Sequence, residues 1–202
     1  TTAFVSSSPC QILDETSFMH TLLQLAYNRE PWVVFLEGHG EKSPFRELST
    51  LAIALKQRQV HVQALDLARS NEVPHNTSLL VIAGVKSALK PEEIAALLRY
   101  INRGGNLLWL QDPGTQDSLS LIASRIGIEF LPGLVLASKS NKHDEEIIVA
   151  QHYTPDHLLT HNIKNLRTLF PITSAITSRE VGFARHDIIM SDKTSWHKRR
   201  LT

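Results

Sequence analysis

Four short runs rich in apolar residues, at residues 32–36, 60–65, 79–83 and 106–110, alternate with stretches whose apolar residues recur at helical spacing. That alternation constrains the fold more than any other feature. A strand, a covering helix and a second strand in the same sheet join by a right-handed crossover, which builds a parallel sheet covered on both faces. The first run, Trp32, Val33, Val34, Phe35 and Leu36, has no polar member. Such a strand belongs at the centre of the sheet. Ser43 followed by Pro44 predicts a helix start, with Leu48, Leu51, Ala52 and Leu55 sharing one face at i, i+3, i+4 and i+7. Pro91 opens another helix, where Glu92 and Glu93 complement the positive end, Ile94, Leu97, Leu98 and Ile101 form the buried stripe, and Gly104 marks the stop. Leu119, Ile122, Ala123 and Ile126 predict a further helix closed by Gly127. An earlier one, over residues 11–28, carries Ile12, Phe18, Leu22, Leu25 and Ala26 and ends before Pro31.

The expected organisation is a lead and helix over residues 1–30, an α/β core over 31–135, and an extension over 136–202 packed on that core. Beyond the regular alternation, residues 130–136 and 147–150 read as extra strands, 138–146 as a polar loop and 188–190 as a last strand. The basic cluster His197, Lys198, Arg199 and Arg200 reads as a solvated tail. With Thr1 at one end and no closing element at the other, the chain reads as an excised piece of a longer polypeptide.

Composition removes several classes of function. A net charge of +1, from 21 basic and 20 acidic residues, supplies no general field for gripping nucleic acid. One cysteine, Cys10, excludes an internal disulfide framework and a multi-cysteine metal site, and it reads as a small packed residue. No apolar run approaches the ~20 residues that cross a bilayer.

The chemistry concentrates after the first strand, where Glu37, Gly38, His39, Gly40 and Glu41 place two glycines around a histidine with a carboxylate on either side. In a sheet of order 2-1-3-4 this loop lies near Asp66, Lys86 and Asp112 at the carboxyl ends of the strands, where open α/β sheets bind ligands. Two readings follow. In one, Glu37, His39, Glu41, Asp66, Lys86 and Asp112 form a ligand or partner rim, with His39 and Glu41 as candidate metal ligands. In the other, the glycines only turn the chain, His39 caps the next helix or bonds a neighbouring loop, and Glu41 sits near a positive helix end.

Other motifs fail on spacing. Residues 38–43 put a lysine and a serine after glycines at intervals that are not those of a nucleotide-binding loop, and the three-glycine dinucleotide fingerprint is missing. No Gly-x-Ser-x-Gly elbow exists to present a nucleophile. His157 and His161 are spaced i, i+4, but Leu158, Leu159 and Thr160 lie between them where a metalloprotease needs a glutamate. Trp109, on the fourth strand, reads as core.

The loop from Glu37 to Glu41, residues 80–84, residues 100–108 with Asp112, Pro113 and Gly114, and the later landmarks Phe130 to Gly133, Tyr153, Phe170, Pro171, Ser195 and Trp196 together resemble a known family. That family is the soluble region of the gliding-motility-type (GldG-like) auxiliary proteins of ABC transporters, and the resemblance spans roughly residues 20–200. Val85 departs from it, since proline is more usual there. The resemblance implies an extracytoplasmic domain on the bacterial inner membrane, facing the periplasm, held by membrane helices outside this chain and working beside an ABC permease and ATPase.

The expected fold is a three-layer α/β sandwich whose mainly parallel sheet is similar to flavodoxin-like and glutamine-amidotransferase-like folds, with extra C-terminal strands. Two functions follow from the sequence: a non-catalytic auxiliary domain without a cofactor that binds a partner, a substrate or a second copy of itself, or a metal-dependent or hydrolytic enzyme using Glu37, His39, Glu41 and Asp112.

Overall fold

The computed structural model describes residues 30–114, 119–137, 147–150, 152–154, 157, 159–160 and 166–199. The helix expected over 11–28, Cys10, the polar stretch 138–146 and His161 lie outside the described residues.

The four apolar runs form β1 (Trp32–Glu37), β2 (His61–Asp66), β3 (Thr77–Ala83) and β4 (Leu107–Leu110). All are parallel, in the order β2-β1-β3-β4. Side chains alternate across a strand, so β1 feeds two cores at once. Val33 and Phe35, with Val81 and Ala83, pack under α1 (Ser49–Gln57) and its lead-in residue Leu48. Val34, Leu36, Leu80 and Ile82 pack on the other face against Leu67 of the short α2 (Leu67–Ser70), against Ala96, Leu97 and Tyr100 of α3 (Pro91–Asn102), and against Ile122 of α4 (Ser120–Ile126). Leu97, Ile82 and Ile122 have no exposed surface. Removing each such side chain from water contributes about 1.5–3 kcal/mol.

Two helices differ from the sequence expectation in register. Residues 44–48 wind as turns, and the helix begins at Ser49. Ser43 holds those turns: its carbonyl accepts from Arg46 N and Leu48 N at 3.3 and 2.9 Å, its Oγ accepts from Phe45 N at 3.2 Å, and its own N–H donates to Glu47 Oε2 at 3.0 Å. With that start only Leu48, Ala52 and Leu55 face the sheet, and Leu51 is 38% exposed. In α3 the buried stripe is Glu93, Ala96, Leu97 and Tyr100, one residue back from the expected line. Ile94, Leu98 and Ile101 flank it. Gly104, at φ 82°, follows the end of α3 in the left-handed conformation, and the Tyr100 ring occupies the space a Cβ on Gly105 would need.

Beyond α4 the chain makes antiparallel pairs. β5 (Ile128–Phe130) pairs with β10 (Ile176–Ser178), β6 (Leu134–Ala137) with β12 (Ser195–Lys198), β7 (Ile147–Ala150) with β9 (Thr168–Pro171), and β8 (His152–Tyr153) with β11 (Ile189–Met190). β12 corrects the expected tail in part: Trp196 pairs across from Leu136 and His197 from Val135, so the basic cluster begins on a strand, while His197, Lys198 and Arg199 are exposed as expected. Trp109 meets Phe130 of β5 edge-to-face at 4.9 Å, and its indole N–H donates to Gln111 Oε1 at 2.9 Å. No helix among the described residues is long and apolar enough to cross a membrane.

Candidate functional site

The strand order reverses between β1 and β3, and the loops leaving their carboxyl ends bound the crevice of the sheet. Backbone hydrogen bonds join these loops. Lys42 N donates to Ala83 O at 2.8 Å, while Lys86 N and Ser87 N both donate to His39 O, at 2.9 and 3.1 Å. The close approach explains Gly40: its φ is 80°, and a Cβ there would sit 3.0 Å from that of Lys86.

His39 points inward. Its Nε2 lies 3.0 Å from Glu93 Oε2 on α3, and its Nδ1 lies 3.6 Å from Glu41 Oε1. The three side chains are 10%, 3% and 0% exposed, so these contacts lie almost wholly out of water. Each carboxylate is held by a second donor. His39 N donates to Glu41 Oε2 at 2.7 Å, and Lys90 N donates to Glu93 Oε2 at 2.7 Å, which closes the N-terminal box of α3. His39 Nδ1, Glu41 Oε1 and Glu93 Oε1 make no hydrogen bond, and neither does the buried Glu37 Oε1.

This arrangement opposes the metal reading on geometry. A bound ion needs lone pairs converging on one point, whereas Glu41 and Glu93 address the two ring nitrogens of one imidazole, which diverge. Among the described residues no group of three or more His, Cys, Asp or Glu side chains is placed to hold a metal ion.

The remaining expected residues divide among separate tasks. Asp66 lies across from Glu37 in the β1–β2 register, and its Oδ1 caps α2 by accepting from Ala68 N at 2.9 Å while its Oδ2 lies 3.3 Å from Arg69 Nε. Asp112 pairs with Lys42, Oδ2 to Nζ at 2.8 Å, bridging the loops after β1 and β4 over Gly84. Lys86 is exposed beside Gly40. The structure therefore joins His39 to Glu41 and sets Lys86 against their loop, but gives Asp66 and Asp112 other partners.

Sequence reasoning missed Glu93 and Lys42. Glu93 had been assigned to the helix dipole alone. Its spacing of four residues before Leu97 and seven before Tyr100 is the signal that puts it on the buried stripe. Nearby, Glu47 has its carboxyl held below the usual range by backbone N–H donors at its own position and at Ser43, helped by Arg46 and Lys86.

The family model described as an ABC-type uncharacterized transport system matches residues 30–197. The chain belongs to that family. As a member of this transport-system family it is an auxiliary component of an ABC transport system, and the matched span runs from Glu30 ahead of β1 to His197 within β12. No curated protein matches. Among solved structures, one titled "mmIFT52 N-terminal domain" is similar over 83% of this chain and 76% of its own, with 15% identity and a TM-score of 0.65. At that identity the likeness concerns the fold, and it agrees with the parallel sheet of order 2-1-3-4 and its added antiparallel strands.

Proposed function

We propose that this domain is a non-catalytic module of its ABC transport system, GldG-like in type, held at the periplasmic face of a bacterial inner membrane by segments outside the chain. It works by presenting the rim of the β1–β3 crevice to the permease of that system. One observation carries this reading: His39, the only imidazole of the loop, is turned inward with its side chain 10% exposed and its Nε2 held 3.0 Å from the buried Glu93 Oε2. A general base or metal ligand needs a nitrogen facing substrate. The cluster instead stiffens a loop whose outward surface consists of Gly38, Gly40, Lys86 and Ser87. A rigid, exposed rim on a scaffold suits recognition, because little ordering entropy is lost when it binds.

The test is co-purification of the full-length protein with its permease and ATPase from detergent-solubilised membranes. Lys86→Glu should reduce recovery of the permease without lowering the melting temperature of the isolated chain. Undiminished recovery would refute the rim as the contact. His39→Ala does not serve this purpose, because the side chain is buried and its loss strands two carboxylates.

A further inference from the structure

We infer that the β11–β12 hook is a surface that rests on anionic lipid headgroups. Its two strands are anchored separately, β11 on β8 and β12 on β6. β11 and β12 are joined by a turn in which Ser195 N donates to Asp192 O at 2.9 Å and Thr194 N donates to Asp192 Oδ1 at 3.1 Å. Ile189 and Met190 on β11 are 39% and 49% exposed, and Trp196 on β12 is 41% exposed. Lys193 stands at the turn, and His197, Lys198 and Arg199 are exposed along and after β12.

Cations are in excess. Arg185 neutralises Asp187 through two contacts of 2.7 Å, which leaves the Asp192 carboxylate, accepting from Thr194 N, against Lys193, Lys198 and Arg199. Lys193, Lys198 and Arg199 have no ion-pair partner among the described residues. The chain as a whole carries only +1, so this hook holds a local excess that the rest of the molecule offsets. Trp196 and Lys198 lie on the same face of β12, two residues apart. An indole with a neighbouring lysine stem matches the headgroup region, where an aromatic ring sits at the boundary and an ammonium reaches phosphate. A planar anionic surface complements both the apolar and the cationic parts of the hook, and polybasic segments gain affinity for it cumulatively.

This surface is separate from the β1–β3 rim, and it is read without any transporter subunit present. The 202-residue chain is sedimented with vesicles of phosphatidylcholine alone and with vesicles of equal parts phosphatidylcholine and phosphatidylglycerol. Binding is expected only with phosphatidylglycerol and should weaken at high salt. The double substitution Lys198→Ala with Arg199→Ala should lower the partition coefficient about thirtyfold, and Trp196→Ala should lower it further. Lys193→Glu, which lies outside the strand, provides a variant that leaves the β6–β12 pairing intact and should also weaken binding. Equal binding to both vesicles, no binding at all, or binding indifferent to Lys193→Glu would each overturn the assignment. Loss of permease recovery in these variants, with no vesicle binding by the native chain, would give the hook to an acidic protein surface instead.

Discussion

His39 Nε2 stands 3.0 Å from Glu93 Oε2, which locks the loop after β1 to the first turn of α3. The two residues lie 54 positions apart in sequence and meet because the sheet order brings the carboxyl ends of β1 and β3 together. Removing one side of a buried hydrogen-bonded pair leaves the other polar group unsatisfied. His39→Ala is therefore expected to destabilise the chain by about 1–3 kcal/mol in urea unfolding. In a double-mutant cycle with Glu93→Ala the two losses should fail to add by about 1 kcal/mol or more. Additive losses would show that the pair is not coupled.

The register of the helices is testable with two truncations. Leu97→Ala removes a fully buried side chain beneath the sheet and should cost about 2–5 kcal/mol. Leu51→Ala, on a position 38% exposed, should change stability by no more than about 0.5 kcal/mol. Equal costs would mean that α1 lies on the sheet by the face its sequence pattern first indicated.

Tyr100 packs over Gly105 and donates its hydroxyl to Asn106 O at 2.9 Å. A methyl group on Gly105 has to displace that ring, so Gly105→Ala should cost about 1–3 kcal/mol in thermal or urea unfolding. The loss should shrink when Tyr100 is first replaced by leucine, which leaves more room. An undiminished loss would place the strain elsewhere.

Burial also pushes the Tyr100 phenol above its ordinary value of 10.0. The unfolded chain then releases this proton at lower pH than the folded chain does. Between the two values the unfolded state binds fewer protons, so stability falls as pH rises. The contribution is whole below about pH 10 and is lost progressively above it. Tyr100→Phe should flatten that alkaline decline, as followed by urea midpoints across the range. At the acidic end the sign reverses for Glu47. Its carboxyl is held below the ordinary value of 4.5, so its contribution is present above that value and is lost as pH falls through the folded one. Glu47→Gln should remove that part of the acid dependence.

The parallel core was legible because each element carries a local signal. β1 is apolar from Trp32 to Leu36, Pro91 and Gly104 bracket α3, and the alternation of elements leaves few topologies. The one-residue shift in α3 was not legible, since a stripe that includes Glu93 looks polar until His39 is known to face it. Ser43 gave a true capping signal for a turn, while the helix itself began six residues later, because a local cap does not state what its chain becomes. β12 was hidden for a related reason. Its residues are mostly charged or polar, and only the antiparallel partner β6, some sixty positions earlier, makes them a strand. At the site, proximity of the β1 and β3 loops followed from topology, whereas the diversion of Asp66 to α2 and of Asp112 to Lys42 depended on side-chain geometry that spacing does not encode.

The most direct test of the account is photo-crosslinking of the full-length protein in its native membrane, with a photoreactive amino acid at Lys86 on the crevice rim or at Arg58, beyond the C-terminal end of α1. The account predicts a crosslink to the permease from position 86 and none from position 58. Crosslinking from position 58 alone, or equally from both, would contradict it.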